Sequence, residues 1–315
     1  PKHVLCGIGD DCAVIAQSDT HVRLVTTDMM VESVHFLTDT PPEGLGHKLL
    51  AVNISDIAAM GGAPTDAVIS LAVPANHDAG YLERLYNGLY ACADRFNVAI
   101  VGGDTTRSHN QLVLNISLTG QMNCNHVCYR SGAQIGVLFY VSGTLGDASG
   151  VLSLIQDQIE MDQTDRTHLL RKFHRPEPRL ELGQTLAATD AITAMMDVSD
   201  GVASDLRHIC QRSEVSATLQ ASAIPLSDAF LNFCQKAKKD AIQLALSGGE
   251  DYELLFAIKP DRAKEIESLV QKSSAPKITC IGQITEGKDA IQITHEDNSR
   301  SPLTVTGYDH FKSTP

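Results

Sequence analysis

Residues 98–104 have the sequence Val-Ala-Ile-Val-Gly-Gly-Asp, four apolar residues followed by a glycine pair and a carboxylate. The apolar run predicts a strand that ends at Val101. Two glycines at a strand end would let a phosphate approach the backbone closely, and Asp104 could then hold the metal of that phosphate. A plain glycine turn is the alternative interpretation of this segment.

Five other short segments also place carboxylates beside Ser, Thr, Asn or Gly, at a predicted strand end or helix face. Several carboxylates at apolar strand ends favour one shared site for a hard cation, because oxygen-only ligands select Mg²⁺ or Ca²⁺ over softer metals. Each also has a simpler interpretation by itself: a turn for Asp28, an exposed helix face for Asp56, and a helix cap for Asp197. The segments are Gly9-Asp10-Asp11, Thr26-Thr27-Asp28, Asn53-Ile54-Ser55-Asp56, Asp197-Val198-Ser199-Asp200-Gly201 and Ser247-Gly248-Gly249-Glu250-Asp251.

Hydrophobic spacing predicts several strands and two long helices in the first half of the chain. One helix begins at Pro41-Pro42, runs to about Met60, and places Asn53 and Asp56 on one face, because residues three apart are neighbours on a helix. The other has Asp78 as its N-cap and carries apolar residues at helical spacing. The strands are predicted over residues 22–27, 67–73, 98–101 and 112–118.

The second half repeats the alternation of helices and strands after a boundary near residues 131–134. An apolar run at residues 137–141 follows this boundary, and strands are predicted at residues 192–196, 215–220, 252–258, 277–283 and 290–294. Helices are predicted near residues 148–158, 179–189, 201–212, 227–238 and 261–272. We therefore predict a mixed α+β and α/β chain with two domains, at residues 1–132 and 133–315.

Composition excludes some classes of function. The formal charge of −13 and the absence of Trp argue against a nucleic-acid partner, which would need a basic footprint or a stacking platform. An acidic protein that binds an anionic nucleotide needs bridging cations. The sequence has no lysine-bearing phosphate loop, no dinucleotide-binding glycine motif and no protein-kinase catalytic loop.

The sequence also bears on the cell compartment. No apolar stretch reaches the roughly 18 residues that cross a bilayer. Eight scattered Cys lack a disulfide framework, so we expect a reducing cytoplasm and no membrane partner. Cys124, His126 and Cys128 suggest zinc, but alternate residues of a strand lie too far apart to share one ion easily, and a hairpin rim is the favoured interpretation.

Taken together, these segments resemble the thiamine-monophosphate kinase family of the aminoimidazole ribonucleotide synthetase superfamily. The resemblance covers nearly the whole chain, and the ordered set of motifs is more specific than any single glycine-aspartate pair. The residues that carry it are 7–13 (GIGDDCA), 51–61 (AVNISDIAAMG), 102–107 (GGDTTR), 197–201 (DVSDG), 247–254 (SGGEDYEL) and 307–311 (GYDHF).

The resemblance implies an activity and a set of site residues. Family members phosphorylate thiamine monophosphate with ATP and Mg²⁺, and Asp28, Asp104 and Arg130 would be central to that transfer. Metal ligands would be Asp11, Thr26, Thr27, Asp28, Asp56, Asp104, Asp197 and Asp200. ATP contacts would be Gly103, Asp104, Arg130 and Ser199, and the thiamine phosphate would be held by His35, Glu250 and Tyr308.

The resemblance also implies a two-domain fold like that of aminoimidazole ribonucleotide synthetase. Its N-terminal domain pairs with a second copy through a sheet, which predicts a homodimer, and its C-terminal α/β domain completes the active site. Family members carry a lead segment that would precede Pro1. Some place a Tyr beside the ATP base where this chain has Phe96, so that contact stays unassigned.

Two other interpretations of the chain stay open at this point. One is a ligase of the same superfamily, which would phosphorylate an amide or carbonyl oxygen. The other is a nucleotide-binding protein without catalysis.

Overall fold

The computed structural model describes residues 1–304 and 307, which form two compact units. The N-terminal unit holds Pro1–Val127 together with His174–Gln184, and the C-terminal unit holds Cys128–Phe173 and the chain from Thr185 onward. The first division between the units falls after Val127, whereas the boundary was predicted after residue 132. The prediction did not include the return of His174–Gln184 to the first unit.

Polar contacts within the N-terminal unit hold this returning segment. His47 Nε2 donates to the carbonyl oxygen of Pro176 at 2.9 Å, and Arg95 makes a bidentate ion pair with Glu177. Gln184 Nε2 donates to the carbonyl oxygen of Gly62 at 2.9 Å. These partners lie far apart in sequence, so no local pattern signals the return.

The N-terminal unit contains one sheet of six strands among its described residues, in the order β1-β2-β3-β6-β4-β5. Only β4 and β5 run parallel within it. The strands are β1 (Val4–Cys6), β2 (Ala13–Ala16), β3 (His21–Val31), β4 (Ala63–Val73), β5 (Ala99–Arg107) and β6 (Val113–Asn123).

Two helices, α1 (Pro42–Ala59) and α2 (Ala79–Phe96), confirm the predicted pair. Fourteen of the eighteen α1 residues are buried, because α1 packs against both α2 and the sheet. Glycines allow the close approach of the two helices: a Cβ on Gly46 would lie 1.9 Å from the Leu85 carbonyl oxygen. Asp78 caps α2 as predicted, accepting from the Tyr81 N–H at 2.7 Å.

The two faces of the N-terminal sheet differ. On β3, the side chains of Leu24 and Thr26 are buried on the face that α1 covers, whereas the alternate residues Thr27 and Met29 are exposed. We call the second face the open face. Large apolar side chains are exposed on it, with Met29 58% and Val68 44% exposed.

The structure corrects two predicted strand ends. β3 continues through Asp28 to Val31, and β5 continues through Gly102 and Gly103 to Arg107, whereas both strands were predicted to stop at the polar residues. The reason is pairing: the ladder of β3 with β6, and that of β5 with β4, extends across these positions. The Gly-Gly-Asp motif therefore lies inside a strand.

The C-terminal unit contains a sheet of seven strands among its described residues, in the order β13-β12-β9-β11-β7-β10-β8. It includes all five strands predicted for this half, together with a strand along the apolar run at residues 137–141 and a short strand at one edge. The strands are β7 (Leu138–Ser142), β8 (Ile192–Asp197), β9 (Ser216–Gln220), β10 (Leu254–Ile258), β11 (Ile278–Thr285), β12 (Ile291–Thr294) and β13 (Arg300–Pro302).

The helices after β7 include all five that were predicted and two that were not, α4 and α8. They are α3 (Val151–Gln156), α4 (Gln163–His174), α5 (Leu180–Ala187), α6 (Val202–Ser213), α7 (Asp228–Ala237), α8 (Ala241–Ser247) and α9 (Ala263–Gln271). A search of the described residues found no helix with the length and hydropathy of a membrane span.

Candidate active site

Acidic residues of the N-terminal unit gather on the face of the sheet that α1 covers. Asp56 projects from α1, and its carboxylate accepts a hydrogen bond from the Thr26 hydroxyl on β3. Carboxylate oxygens of Asp11, in the loop before β2, and of Asp56 lie within 4.8 Å of each other. Two carboxylates and a hydroxyl at this spacing form an oxygen-rich site of the kind that hard cations prefer.

Asp28 belongs to the same group. It lies two residues after Thr26 on β3, so both side chains point to the same face. Burial, with a smaller contribution from repulsion by the Asp11 carboxylate, raises the pKa of Asp28 to about 6. We call Asp11, Thr26, Asp28 and Asp56 the carboxylate cluster.

Thr27 is not brought into this cluster. Its side chain lies on the open face, where its hydroxyl donates to the Ile116 carbonyl oxygen at 3.0 Å. The same hydroxyl accepts from Asn115 Nδ2 and from the Ser117 hydroxyl, each at 3.0 Å. Thr27 could therefore contribute to a metal site only through its main chain.

Asp104 is also separated from Asp28 within one chain. Asp104 pairs with Ser70, Ser70 with Asn115, and Asn115 with Met29, so these side chains share the open face. β5 lies three strands from β3, which is roughly 14 Å at the usual strand spacing. Asp28 and Asp104 of the same chain thus cannot bind one ion at the short distances that Mg²⁺ requires.

Gly103 occupies a tight position on the parallel pair of strands. A Cβ at this residue would lie 2.0 Å from the carbonyl oxygen of Ile69 on β4. Packing inside the sheet therefore already explains why glycine stands here. A backbone contact with nucleotide stays a prediction.

The imidazole of His35 has a defined orientation in the turn after β3. The Val31 N–H donates to His35 Nδ1 at 3.1 Å, and the His35 N–H donates to the Val31 carbonyl oxygen at 2.9 Å. Because Nδ1 accepts, a neutral His35 carries its proton on Nε2. His35 is therefore arranged to donate from Nε2.

In the C-terminal unit, Asp197, Ser199 and Asp200 follow one another between the end of β8 and the start of α6. Asp197 is buried, whereas Asp200 is partly exposed. Gly201 adopts φ 103°, which turns the chain into α6. This strand-to-helix turn resembles those that receive phosphate groups at a helix N-terminus.

Residues 248–253, which we call the 248–253 loop, pair with this turn. The Glu250 N–H donates to the Ser199 carbonyl oxygen at 2.8 Å, and the Tyr252 N–H donates to that of Val198 at 2.9 Å. Glu250 is partly exposed. Asp251, predicted as a further cation group, is instead buried, with its carboxylate on the Gly146 N–H.

The remaining predicted site residues are Arg130 and Tyr308. Arg130 is partly buried and lies one residue after Tyr129, whose carbonyl oxygen accepts from the Met195 N–H on β8 at 2.9 Å. Tyr308 lies outside the described residues. Cys124 and His126 form a short 3-10 turn and not a strand, and no candidate metal group found among the described residues includes them or Cys128.

Both halves of the chain match family models. Residues 9–122 match AIR synthase related protein, N-terminal domain, and residues 134–294 match AIR synthase related protein, C-terminal domain. The thiamine-monophosphate kinase of Haemophilus influenzae is 39% identical over 312 residues, which cover 98% of this chain and 92% of that protein.

Solved structures resemble the whole chain as well. The structure of AaThiL complexed with AMPPCP and TMP has a TM-score of 0.86 and 32% identity, and the match covers 96% of this chain and 92% of that one. The thiamine-monophosphate kinase from Stenotrophomonas maltophilia has a TM-score of 0.81 and 36% identity, with 92% and 91% covered.

Proposed function

Because the chain belongs to the thiamine-monophosphate kinase family of AIR synthase related proteins, we propose that it phosphorylates thiamine monophosphate with ATP. The products would be thiamine diphosphate and ADP. The observation that carries this proposal is the carboxylate cluster, found in a chain that matches a kinase of this name over 98% of its length.

The carboxylate cluster suits Mg²⁺. Its donors are oxygens, and the pKa of Asp28 is raised first by burial and then by the Asp11 charge, both of which a bound cation would offset. Bound Mg²⁺ would neutralise phosphate charge and stabilise the transition state. From the family resemblance, the proposed ligands also include Thr27, Asp104, Asp197 and Asp200.

The acceptor needs little activation. A phosphate monoester has a second pKa of about 6, so its attacking oxygen is largely ionised at neutral pH and no strong general base is required. We propose direct in-line transfer: the acceptor oxygen bonds to the γ-phosphorus of ATP while the bond to the β-phosphate oxygen breaks, which releases ADP. Gly103, Arg130 and Ser199 would hold ATP, and His35, Glu250 and Tyr308 would hold the acceptor.

We also propose that the open face of the N-terminal sheet forms a homodimer. Its exposed apolar residues support this, as does β5, an outer strand whose second edge no described strand covers. A dimer would also account for the distance between Asp104 and Asp28 within one chain. A second copy could supply its Asp104 to the Asp28 of the first. None of the eight Cys, all of which lie among the described residues, forms a disulfide, in keeping with the cytoplasm as the compartment.

The test is product analysis with ATP, Mg²⁺ and thiamine monophosphate. We expect thiamine diphosphate and ADP in equal amounts, and no phosphoenzyme after a rapid quench. A ligase would form no new diphosphate from thiamine monophosphate, and a non-catalytic nucleotide-binding protein would bind ATP without forming ADP. Either result would contradict the proposal.

A further inference from the structure

The 248–253 loop has a strained backbone at two positions, and one of them is Glu250, the acceptor contact that we propose. Glu250 adopts φ 69° and Tyr252 adopts φ 49°. Residues with a Cβ rarely enter this left-handed region, and such conformations persist only where the surroundings hold them in place. The contacts that hold Glu250 therefore set the direction of its side chain.

One side of the loop is fixed by backbone contacts. Besides the bonds from Glu250 to Ser199 and from Tyr252 to Val198, the Val198 N–H donates to the Glu253 carbonyl oxygen at 2.8 Å. Gly249 lies so close that a Cβ there would be 2.3 Å from the Ser199 carbonyl oxygen. These contacts fix the position of the backbone along this side.

The other side is fixed by Asp251, which stands between the two left-handed residues and is only 8% exposed. Both of its carboxylate oxygens accept from the Gly146 N–H, at 3.0 and 2.9 Å. Gly146 is itself closely packed, since a Cβ on it would lie 2.5 Å from the Phe230 ring. Asp251 thus anchors the centre of the loop to a rigid point.

The surroundings of Asp251 are unfavourable for a carboxylate. Burial raises its pKa, as do the charges of Asp147 and Glu253, both almost fully buried, while the Gly146 N–H and Lys172 lower it. Lys172 Nζ lies 3.4 Å from Glu253 Oε1 and 3.8 Å from Asp147 Oδ2. Buried charges of this kind are poor contributors to stability, so a role in geometry accounts better for this arrangement.

We propose that Asp251 is a positioning residue for the acceptor substrate. Its bond to Gly146 holds Glu250 in the left-handed conformation and so directs the Glu250 carboxylate. This inference rests on the proposed function, in which Glu250 contacts thiamine monophosphate.

The first test is Asp251→Asn, which keeps the shape of the side chain but replaces one of the two oxygens that accept from the Gly146 N–H with an NH2 donor. We expect the KM for thiamine monophosphate to rise about tenfold, because small displacements of a substrate contact are costly. The KM for ATP should stay within about twofold of its original value. Asp147→Asn is the matched control: it alters the same buried cluster without adjoining Glu250, and should lower the melting temperature while leaving both KM values unchanged.

A double-variant cycle separates positioning from a general structural effect. If Asp251 acts through Glu250, then Asp251→Asn combined with Glu250→Gln should raise the KM for thiamine monophosphate no further than Glu250→Gln alone. The inference would be overturned if the two substitutions raised the KM for thiamine monophosphate independently, so that their effects multiply in the double variant. It would also be overturned if Asp251→Asn raised the KM values for thiamine monophosphate and ATP equally. If Glu250→Gln leaves that KM unchanged, the proposed role of Glu250 fails; if it raises the KM but Asp251→Asn does not, only the positioning role fails.

Discussion

The carboxylate cluster and the 248–253 loop present acidic side chains in opposite ways. In the cluster, Thr26, Asp28 and Asp56 belong to a regular strand and helix. The residue in an unfavourable environment is a proposed ligand itself, because burial and the Asp11 charge raise the pKa of Asp28. In the loop, Glu250 has a strained backbone. The carboxylate in an unfavourable environment is that of the supporting residue, Asp251, whose pKa is raised by burial.

This difference has a consequence for stability. The cluster should be stabilised by a bound cation, because a cation compensates repulsion between its own carboxylates. The stability of the loop should not depend on cations, because burial and hydrogen bonds within the unit hold Asp251. The predictions below test this contrast in order of decreasing effect.

The largest effect is expected from Asp56→Asn. Asp56 accepts from Thr26 and lies beside Asp11, so its loss should lower turnover at least about 100-fold. Asp94→Asn is the control, because Asp94 is an exposed carboxylate of the same unit that lies on α2 and not on the open face. Steady-state rates at saturating Mg²⁺ measure both variants, and a near-normal rate for Asp56→Asn would remove the cluster from the mechanism.

A second prediction concerns Asp104. Asp104→Asn should lower turnover at least about tenfold with little change in melting temperature, because the residue is exposed. If the partner supplies Asp104, then equal amounts of Asp28→Asn and Asp104→Asn chains, mixed under exchange, should regain about a quarter of the original activity. Half of the dimers would be mixed, and each of these would hold one intact site.

The control for this mixture is each variant exchanged with itself, which should keep only its own low residual rate. No recovery in the mixture would place Asp28 and Asp104 in separate functions within one chain. Full activity of Asp104→Asn alone would remove that residue from the site.

Much of this arrangement could be predicted from periodicity. α1 and α2 were predicted because apolar residues recur at helical spacing between clear start signals, and Asp56 was correctly placed on α1. The strand containing Asp104 was predicted as well, but which face its side chain takes depends on the register between β5 and β4. A register is a pairing between distant segments, so no local pattern records it.

The loop shows a different limit. Left-handed conformations are expected at glycine, and the glycine pair at 248–249 indicated a turn, yet Glu250 and Tyr252 carry the positive φ values. Their conformation depends on Ser199, Val198 and Gly146, which lie about 50 to 100 residues away in sequence. The pairing of acidic and glycine motifs suggested a site, but not which carboxylate would be buried.

The third prediction is that two properties change with pH in opposite directions: the stability of the metal-free protein and its affinity for Mg²⁺. In the metal-free protein, Asp28 binds its proton up to about pH 6, whereas the unfolded chain releases it near 3.8. Because the folded state then holds more protons, the free energy of unfolding should fall as pH rises from about 4 to 6 and level off above that. Mg²⁺ requires the ionised carboxylate, so its affinity should rise over the same range.

Thermal melts with a chelator, and calorimetric titration with Mg²⁺, measure these two trends. Asp28→Asn should remove the fall in metal-free stability between pH 4 and 6. It should also raise the melting temperature of the metal-free protein at pH 7 and weaken Mg²⁺ binding. A metal-free stability that rises with pH between 4 and 6 would contradict the raised pKa that burial and the Asp11 charge give to Asp28.

The smallest effect separates backbone strain from function. Lys238 adopts φ 54° at the exposed end of α7, and Lys238→Gly should raise the free energy of unfolding by about 0.5–1 kcal/mol, since glycine enters this conformation without a Cβ clash. Glu250→Gly relieves comparable strain and should give a similar gain, but it also deletes the proposed acceptor contact. Chemical denaturation and the KM for thiamine monophosphate distinguish them: both variants should be more stable, and only Glu250→Gly should bind the acceptor more weakly. A stabilised Glu250→Gly with an unchanged KM would show that the strain at this position serves the fold and not the substrate.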